Sequence, residues 1–401
     1  MSTSPLTWME IDKGAFCHNV AQFKRIIGAG NLAAVIKSNA YGHDLHLIAQ
    51  LCEKNPQVDW LCVASLSEAL TLRAHSIKKP ILVLSYIDAD LQLAAAHDID
   101  IICYEKELLD HAHQIGAALN KKINIHVKID TGLARFGLAP RDALTFIRYA
   151  TKLPYVHVNG IFTHFAQSQD EDQSFTDTQD QLFQNLIVQL AHEGINFPLR
   201  HCANSAAALL RSPGQCNFFR VGAGLYGLWP SEFTRTTTQE KYPDFELKTI
   251  LTWKTTITSL HHLEAGCTVG YDRTFITNRP TTIALLPVGY YEGFDRRLSN
   301  AGMIRVHDVL VPIVGRVCMN VIMADVTDIK QVKKGDIAQL IGDHEGIRPT
   351  DIAAQSKSFN AREIVSRLNA QIPRIVTGKE NVLRFSAVNF QGLELPDQQK
   401  L

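Results

Sequence analysis

Along the first half of the chain, short apolar runs alternate with longer stretches in which apolar residues recur near a 3.6-residue period. The runs cover 32–37, 60–65, 80–85, 100–103, 123–129, 158–165, 199–204 and 218–227, and helix-patterned stretches such as 44–54 and 177–192 lie between them. Continuous apolar runs of this length are what strands buried on both faces look like, so the alternation predicts βα units around a parallel sheet. Eight such strands close a (β/α)8 TIM-type barrel; an open doubly wound sheet satisfies the same alternation. After Pro230 the texture changes. Residues 231–243 are polar, with three consecutive threonines, and read as a connector. Beyond them, 247–260, 281–288, 303–305, 309–323 and 336–341 read as strands separated by Gly, Asp and Pro turns. Thr350 is placed to cap a helix, and 362–368 reads as another. The expected architecture is α/β: a barrel over 11–235, followed by a mostly antiparallel β domain over 236–401 that the extended segment within 1–10 can join.

Composition narrows the function classes. Among 401 residues, 46% are apolar and 20% charged, which is ordinary for a globular protein. Forty basic residues balance forty acidic ones, so the chain lacks the basic footprint of a nucleic-acid binder or a polybasic membrane anchor. No 18-residue apolar run is present to cross a membrane, and the start of the chain has no apolar signal core, so a cytoplasmic location is expected. The eight cysteines form no C-x-x-C pair, and Cys17, Cys52, Cys62 and Cys103 sit in apolar contexts that suit reduced thiols. His111-x-His113 and His261-His262 have no carboxylates at ligand spacing and read as solvated surface, so no metal is expected.

A barrel carries its chemistry at the C-terminal ends of its strands. The first run ends in Lys37-Ser-Asn-Ala-Tyr41-Gly-His. A lysine closing an apolar strand is either desolvated, with a neutral amine able to form a Schiff base, or snorkels to water. The fifth ends in Lys128-Ile-Asp130-Thr-Gly-Leu-Ala-Arg135, an anion site or a structural charge cluster. Thr163-His164-Phe165 closes the sixth, where a lone histidine also suits a core position. The seventh runs into His201-Cys-Ala-Asn204-Ser205, and the eighth carries Arg220-Val-Gly222-Ala223-Gly224. Loops after strands seven and eight often hold phosphate, and glycines let backbone N–H groups approach it. A Schiff-base lysine facing a phosphate cradle suits pyridoxal phosphate.

These residues carry a resemblance. The stretch from Ala33 to His43, through Lys37 and Tyr41, is similar to the cofactor-lysine segment of alanine racemases, fold-type III pyridoxal phosphate enzymes, and similarity continues in order from Trp8 to Arg374. The resemblance implies that Lys37 holds the cofactor covalently and serves as one of two proton-transfer bases. It implies that Tyr41, Asn204, Ser205 and the backbone of Gly222 and Ala223 bind the phosphate. Arg220 would face the pyridine nitrogen, His164 would pack on the ring, and His201 would support Arg220. Arg135 aligns with a residue that reaches the substrate carboxylate, and Lys128 with a lysine often carbamylated. Val269-Gly-Tyr271-Asp272 resembles the segment holding the second base, Tyr271, in a network with Tyr290 and Arg296. Met319 aligns with a backbone contact to the substrate carboxylate. Both Tyr271 and Met319 would serve the partner's site, implying a homodimer with shared active sites. The implied reaction interconverts L- and D-alanine, supplying D-alanine for peptidoglycan. The alternatives are a racemase of another small amino acid such as serine, a fold-type III decarboxylase, or a cofactor-carrying regulatory protein. Several positions depart from the family pattern: Asn320, Ala370, Leu133-Ala134, Gly270 and Asp272, and Arg362 in place of a tyrosine that often reaches the phosphate.

Overall fold

The computed structural model describes residues 5–378, apart from 213 and 359, and the strand at 384–385. Residues 1–4 of the expected N-terminal segment, and 379–383 and 386–401 of the expected second domain, lie outside the described residues. The chain forms two compact units. One is built from Asp12–Thr252 and Ile341–Arg367, the other from the described residues of Met1–Ile11, Trp253–Leu340 and Leu368–Leu401.

Strand β1 (Thr7–Asp12) leads into helix α1 (Lys13–Ile27), which Asp12 caps by accepting the Ala15 N–H. Eight further strands follow: β2 (Asn31–Val35), β3 (Trp60–Ser65), β4 (Ile81–Tyr86), β5 (Ile99–Cys103), β6 (Ile123–Lys128), β7 (Val156–Phe162), β8 (Leu199–His201) and β9 (Phe218–Val221). They form one parallel sheet in which β2 to β8 pair in sequence and β9 adds to the free side of β2. The two ends of that sheet meet. The Asn217 N–H donates to the Arg200 carbonyl at 2.9 Å, and the Arg220 N–H to the Ala203 carbonyl at 3.1 Å. This is a nearly closed TIM-type barrel, as the run pattern predicts. Its lower core packs Ala33, Val35, Cys62, Leu82, Leu199 and Phe218, all under a tenth exposed.

Between the strands lie α2 (Lys37–Tyr41), α3 (Leu45–Lys54), α4 (Leu66–Ala74), α5 (Leu91–Ala96), α6 (Lys106–Leu119), α7 (Pro140–Ala150), α8 (Ser174–His192) and α9 (Ser205–Leu210). The expected connector over 231–243 is instead mostly helix, α10 (Glu232–Lys241), capped by Ser231. Its apolar content is low, but Thr234 and Thr238 are buried one turn apart, and the Thr238 hydroxyl returns to the Thr234 carbonyl at 2.6 Å. The period is carried by threonines, which a search for apolar residues passes over.

The other unit is built from β10 (Leu251–Thr256), β11 (Ser259–Leu263), β12 (Thr268–Val269), β13 (Phe275–Ile276), β14 (Thr281–Leu286), β15 (Met303–Val306), β16 (Val309–Pro312), β17 (Ile322–Asp325), β18 (Ile337–Ile341), β19 (Arg374–Thr377) and β20 (Arg384–Phe385). A seven-stranded sheet runs β16-β15-β18-β10-β1-β19-β20, and a three-stranded one β11-β14-β17. The pairs β11–β14, β14–β17, β15–β16, β15–β18 and β12–β13 are antiparallel. β1 therefore lies within this sheet, between β10 and β19, and not in the barrel.

Two helices of the barrel unit come from late in the sequence. The one expected to be capped by Thr350 is α11 (Pro349–Gln355), whose cap position is Arg348, two residues earlier; there the Asp351 carboxylate accepts the Gly346 and Arg348 N–H groups. The one expected over 362–368 is α12 (Ala361–Ser366), capped by Asn360.

Candidate active site

At the C-terminal end of β2 the chain reverses its handedness. Ser38, Asn39, Ala40 and Tyr41 all have φ between 52° and 55°, the left-handed region that side chains disfavour. Specific contacts hold this turn. The Glu68 carboxylate accepts the Ser38 N–H at 2.6 Å and the Ala64 N–H at 2.7 Å, and the Asn39 side chain accepts the Leu45 N–H at 2.9 Å. Gly42, at φ 85°, lies against α12; a Cβ there would stand 1.9 Å from the Val365 carbonyl oxygen, so only glycine fits. The turn places Lys37 and Tyr41 side by side at the barrel mouth.

Lys37, Tyr41, Lys128, Arg135, His164 and Arg220 line one cavity of about 170 Å³, together with Asn204, Ser205, Gly222 and Ala223. Every sequence-predicted residue of the barrel except His201 lines it. His201 lies one layer deeper and touches Arg220. Phe162, Gln169 and Arg362 line it as well. Five of the lining residues are lysine or arginine, and none is a carboxylate. Such a lining selects an anion.

The cation set depresses its own lysines. Burial, then the field of Arg135, lowers the Lys37 ammonium below the ordinary lysine value, against the pull of Glu68. Lys128 is 4% exposed and lies well below it for the same first reason, followed by Arg220 and Arg135. Its Nζ sits 4.5 Å from the centre of the Phe162 ring. Burial, and then Arg220, keep the His164 imidazole well below its usual range, so it is neutral. Arg135 ends a loop wound around Asp130, whose Oδ1 accepts the Gly132, Leu133 and Ala134 N–H groups at 2.9, 2.8 and 3.2 Å.

The opposite wall is built for close approach. Ser205 Oγ accepts the Gly222 N–H at 3.1 Å and the Gly224 N–H at 3.4 Å. A Cβ on Gly222 would meet the Tyr41 hydroxyl at 2.6 Å, so the glycine is what allows the phenol to sit there. Asn204 caps α9 by accepting the Ala207 N–H and is itself held by the Ser168 hydroxyl at 3.0 Å. Burial pushes the Tyr41 phenol up to about 12, so it is a hydrogen-bond donor and not an anion.

Beneath the cavity runs a buried polar chain. Arg220 donates to His201 at 2.5 Å, His201 meets His126 at 2.9 Å, and His126 meets Asp100 at 3.2 Å. Arg220 Nη2 also donates to the Thr163 carbonyl at 2.8 Å and to His164 Nδ1 at 3.2 Å. Phe162 stacks on His201 at 4.5 Å with the rings 5° from parallel.

Two family profiles cover nearly all of this architecture. One, described as alanine racemase, N-terminal domain, matches residues 11–230, and the other, alanine racemase, C-terminal domain, matches 250–376. The chain belongs to the alanine racemase family. An alanine racemase 2 of Caldanaerobacter subterraneus subsp. tengcongensis is 34% identical over 374 residues, covering 92% of this chain and 94% of that protein. Among solved structures, the alanine racemase of Clostridium difficile 630 superimposes with a TM-score of 0.89 at 28% identity, covering 97% of this chain and 100% of that one. The Bartonella henselae alanine racemase, described with covalently bound pyridoxal phosphate, superimposes with a TM-score of 0.81 at 25% identity, covering 93% and 100%.

The remaining alanine racemase candidates lie in the β-rich unit and gather on one of its segments, 315–320. A Cβ on Gly270 would stand 3.4 Å from the Arg316 backbone nitrogen, so the turn carrying Tyr271 rests there; Asp272 pairs with Arg316 at 3.2 Å. The Tyr290 N–H donates to the Cys318 carbonyl, the Tyr291 N–H to that of Met319, and the charge of Arg296 acts on the Cys318 thiol. Tyr271 is 70% exposed and Met319 55%; neither lines the Lys37 cavity. Asp100, His126, Glu68 and Gln169 are site-supporting residues that the sequence reading missed. The available signal was a lone carboxylate, Asp100, in the otherwise apolar β5, and a histidine between Asn124 and Lys128 in β6.

Proposed function

We propose that the chain interconverts L- and D-alanine with pyridoxal phosphate held in the Lys37 cavity. The observation that carries this reading is a lysine of lowered pKa in a cavity lined by five cations and no carboxylate, in a chain of this family. The residues fit the cofactor. An aldehyde needs a neutral amine, a form that the lowered Lys37 pKa favours; a phosphate needs donors, and Tyr41, Ser205, Asn204 and the backbone around Gly222 and Ala223 supply them. Bound, the cofactor supplies a conjugated ring that withdraws electrons from the α-carbon of the amino acid it carries.

The chain's own residues do the rest. Arg220 offers only N–H donors and keeps its proton, so it would donate to a ring nitrogen placed beside it and would disfavour protonation there. Its deep burial and its bonds to His201 and Thr163 hold its guanidinium in place, which supports that role. Arg135 orients the substrate carboxylate by charge, and His164, held neutral, packs beside the ring without adding a further cation. Lys37 Nζ takes or returns the α-proton on one face. Tyr271 Oη does so on the other, supplied by a second copy of the chain, so the working form is a homodimer. The exposure of Tyr271, Tyr290, Tyr291 and Met319 on one loop cluster supports a partner seated there. D-alanine supply for peptidoglycan in the cytoplasm is the role that goes with this reaction.

Incubating the pure protein with L-alanine in heavy water, and following chirality and α-deuteration together, tests the reading. D-alanine carrying α-deuterium is expected; carbon dioxide release would identify a decarboxylase instead. Lys37→Ala should abolish the borohydride-reducible cofactor linkage, and a retained linkage would remove the assignment.

A further inference from the structure

We infer that Arg362, on α12, is the cationic ligand of the cofactor's phosphate and sets the preference for the phosphorylated cofactor. The inference rests on the pyridoxal phosphate reading of the cavity. Arg362 lines that cavity together with Tyr41, Asn204, Ser205 and Gly222. Its guanidinium is preorganised: Nε donates to the Asn360 side chain at 2.9 Å, the same oxygen that caps α12 through the Arg362 N–H at 3.2 Å. Nη1 and Nη2 form a fork whose partner among the described residues is the neutral Gln169 Oε1, at 3.4 Å from each. Those contacts are at the long limit of hydrogen bonding. Gln169 is itself pinned by Ser231, whose hydroxyl donates to its carbonyl at 2.6 Å.

No carboxylate pairs with Arg362 among the described residues. Its neighbour Glu363 is instead matched, by Arg367 just past the end of the helix at 2.7 Å. A half-buried guanidinium with a planar donor edge, in a carboxylate-free wall, is complementary to a phosphate. Gly42 packs against the Val365 backbone, which seats the turn carrying Tyr41 against the helix that carries Arg362. The field of Arg362 on the Tyr41 hydroxyl, opposing the effect of burial, agrees with that proximity. A phosphate dianion held by tyrosine, serine and backbone donors alone has no full positive charge beside it; Arg362 provides it.

The test compares cofactor binding in the full-length protein, wild type against Arg362→Gln and Arg362→Lys, using pyridoxal phosphate and unphosphorylated pyridoxal in parallel. Binding is followed by absorbance of the lysine-linked cofactor and by its release rate from the loaded protein. Arg362→Gln should weaken pyridoxal phosphate binding by about ten- to a hundredfold while leaving pyridoxal binding unchanged, with Arg362→Lys intermediate. Unchanged affinity for pyridoxal phosphate in Arg362→Gln would overturn the inference, as would equal losses for both aldehydes, which mark a merely structural role. A wild-type protein that takes up neither aldehyde would instead overturn the cofactor reading, and this inference with it.

Discussion

Arg220 Nη1 and His201 Nδ1 lie 2.5 Å apart in a fully buried layer, and that contact dictates the proton positions behind it. A guanidinium only donates, so His201 Nδ1 accepts and its proton sits on Nε2. His201 Nε2–H therefore donates to His126 Nδ1, and His126 Nε2–H donates to Asp100 Oδ2. The orientation of an arginine at the cavity floor is set by a carboxylate three residues back in the chain of bonds. Asn124 and Asn159 hold that carboxylate at 3.0 and 2.6 Å.

Asp100→Ala should destabilise the protein by about 2–4 kcal/mol, since three donors lose a buried acceptor. Burial raises the Asp100 carboxyl, but the bonds from His126, Asn159 and Asn124 outweigh it and leave the folded value below the ordinary one. The stability so gained is present above the unfolded value near ~3.9 and is lost as pH falls through the lower folded value. Urea denaturation across pH should show the wild-type advantage intact at neutrality and shrinking in acid. An advantage that does not vary with pH would contradict this.

Arg135→Gln should raise the Lys37 pKa by removing a repelling cation. The acid limb of cofactor linkage, followed by absorbance, then moves to higher pH. A limb that stays in place would show that Arg135 does not act on the amine.

Gly42→Ala should cost at least ~2 kcal/mol, because the new methyl meets the Val365 carbonyl at 1.9 Å on a left-handed backbone. Cofactor retention should fall with it, since that contact seats the turn carrying Tyr41 against the helix that carries Arg362. Thermal denaturation and dialysis of the loaded protein measure the two effects; a wild-type melting midpoint would refute the clamp.

Tyr271→Phe should slow proton removal from L-alanine about a hundredfold or more, and from D-alanine much less, measured as solvent deuterium exchange in each direction. Equal small losses would count against two bases on two faces.

The barrel was legible because strands covered on both sides are unbroken apolar runs, and Lys37, Lys128 and His201 stood out as polar ends of them. Asp100 and His126 did not, because only the closing of β5, β6, β8 and β9 into a ring turns them toward Arg220. The left-handed turn after Lys37 was equally hidden: Ser38, Asn39 and Ala40 are ordinary residues, and the conformation is imposed by Glu68 and α12, far away in sequence. α10 was missed because threonines carry its buried face. Tyr271, Tyr290, Arg296 and Met319 were visible only through resemblance, since an exposed residue leaves no periodic trace.

Four residues wound against their preferred hand cost on the order of 1–2 kcal/mol apiece. Energy of that size held by a few anchors behaves as a latch. Releasing Glu68 or α12 lets the coil relax, and Lys37 and Tyr41 leave together, so losing grip on the ligand and local melting become one event. Amide exchange in the 38–42 backbone would then report occupancy as faithfully as any spectrum.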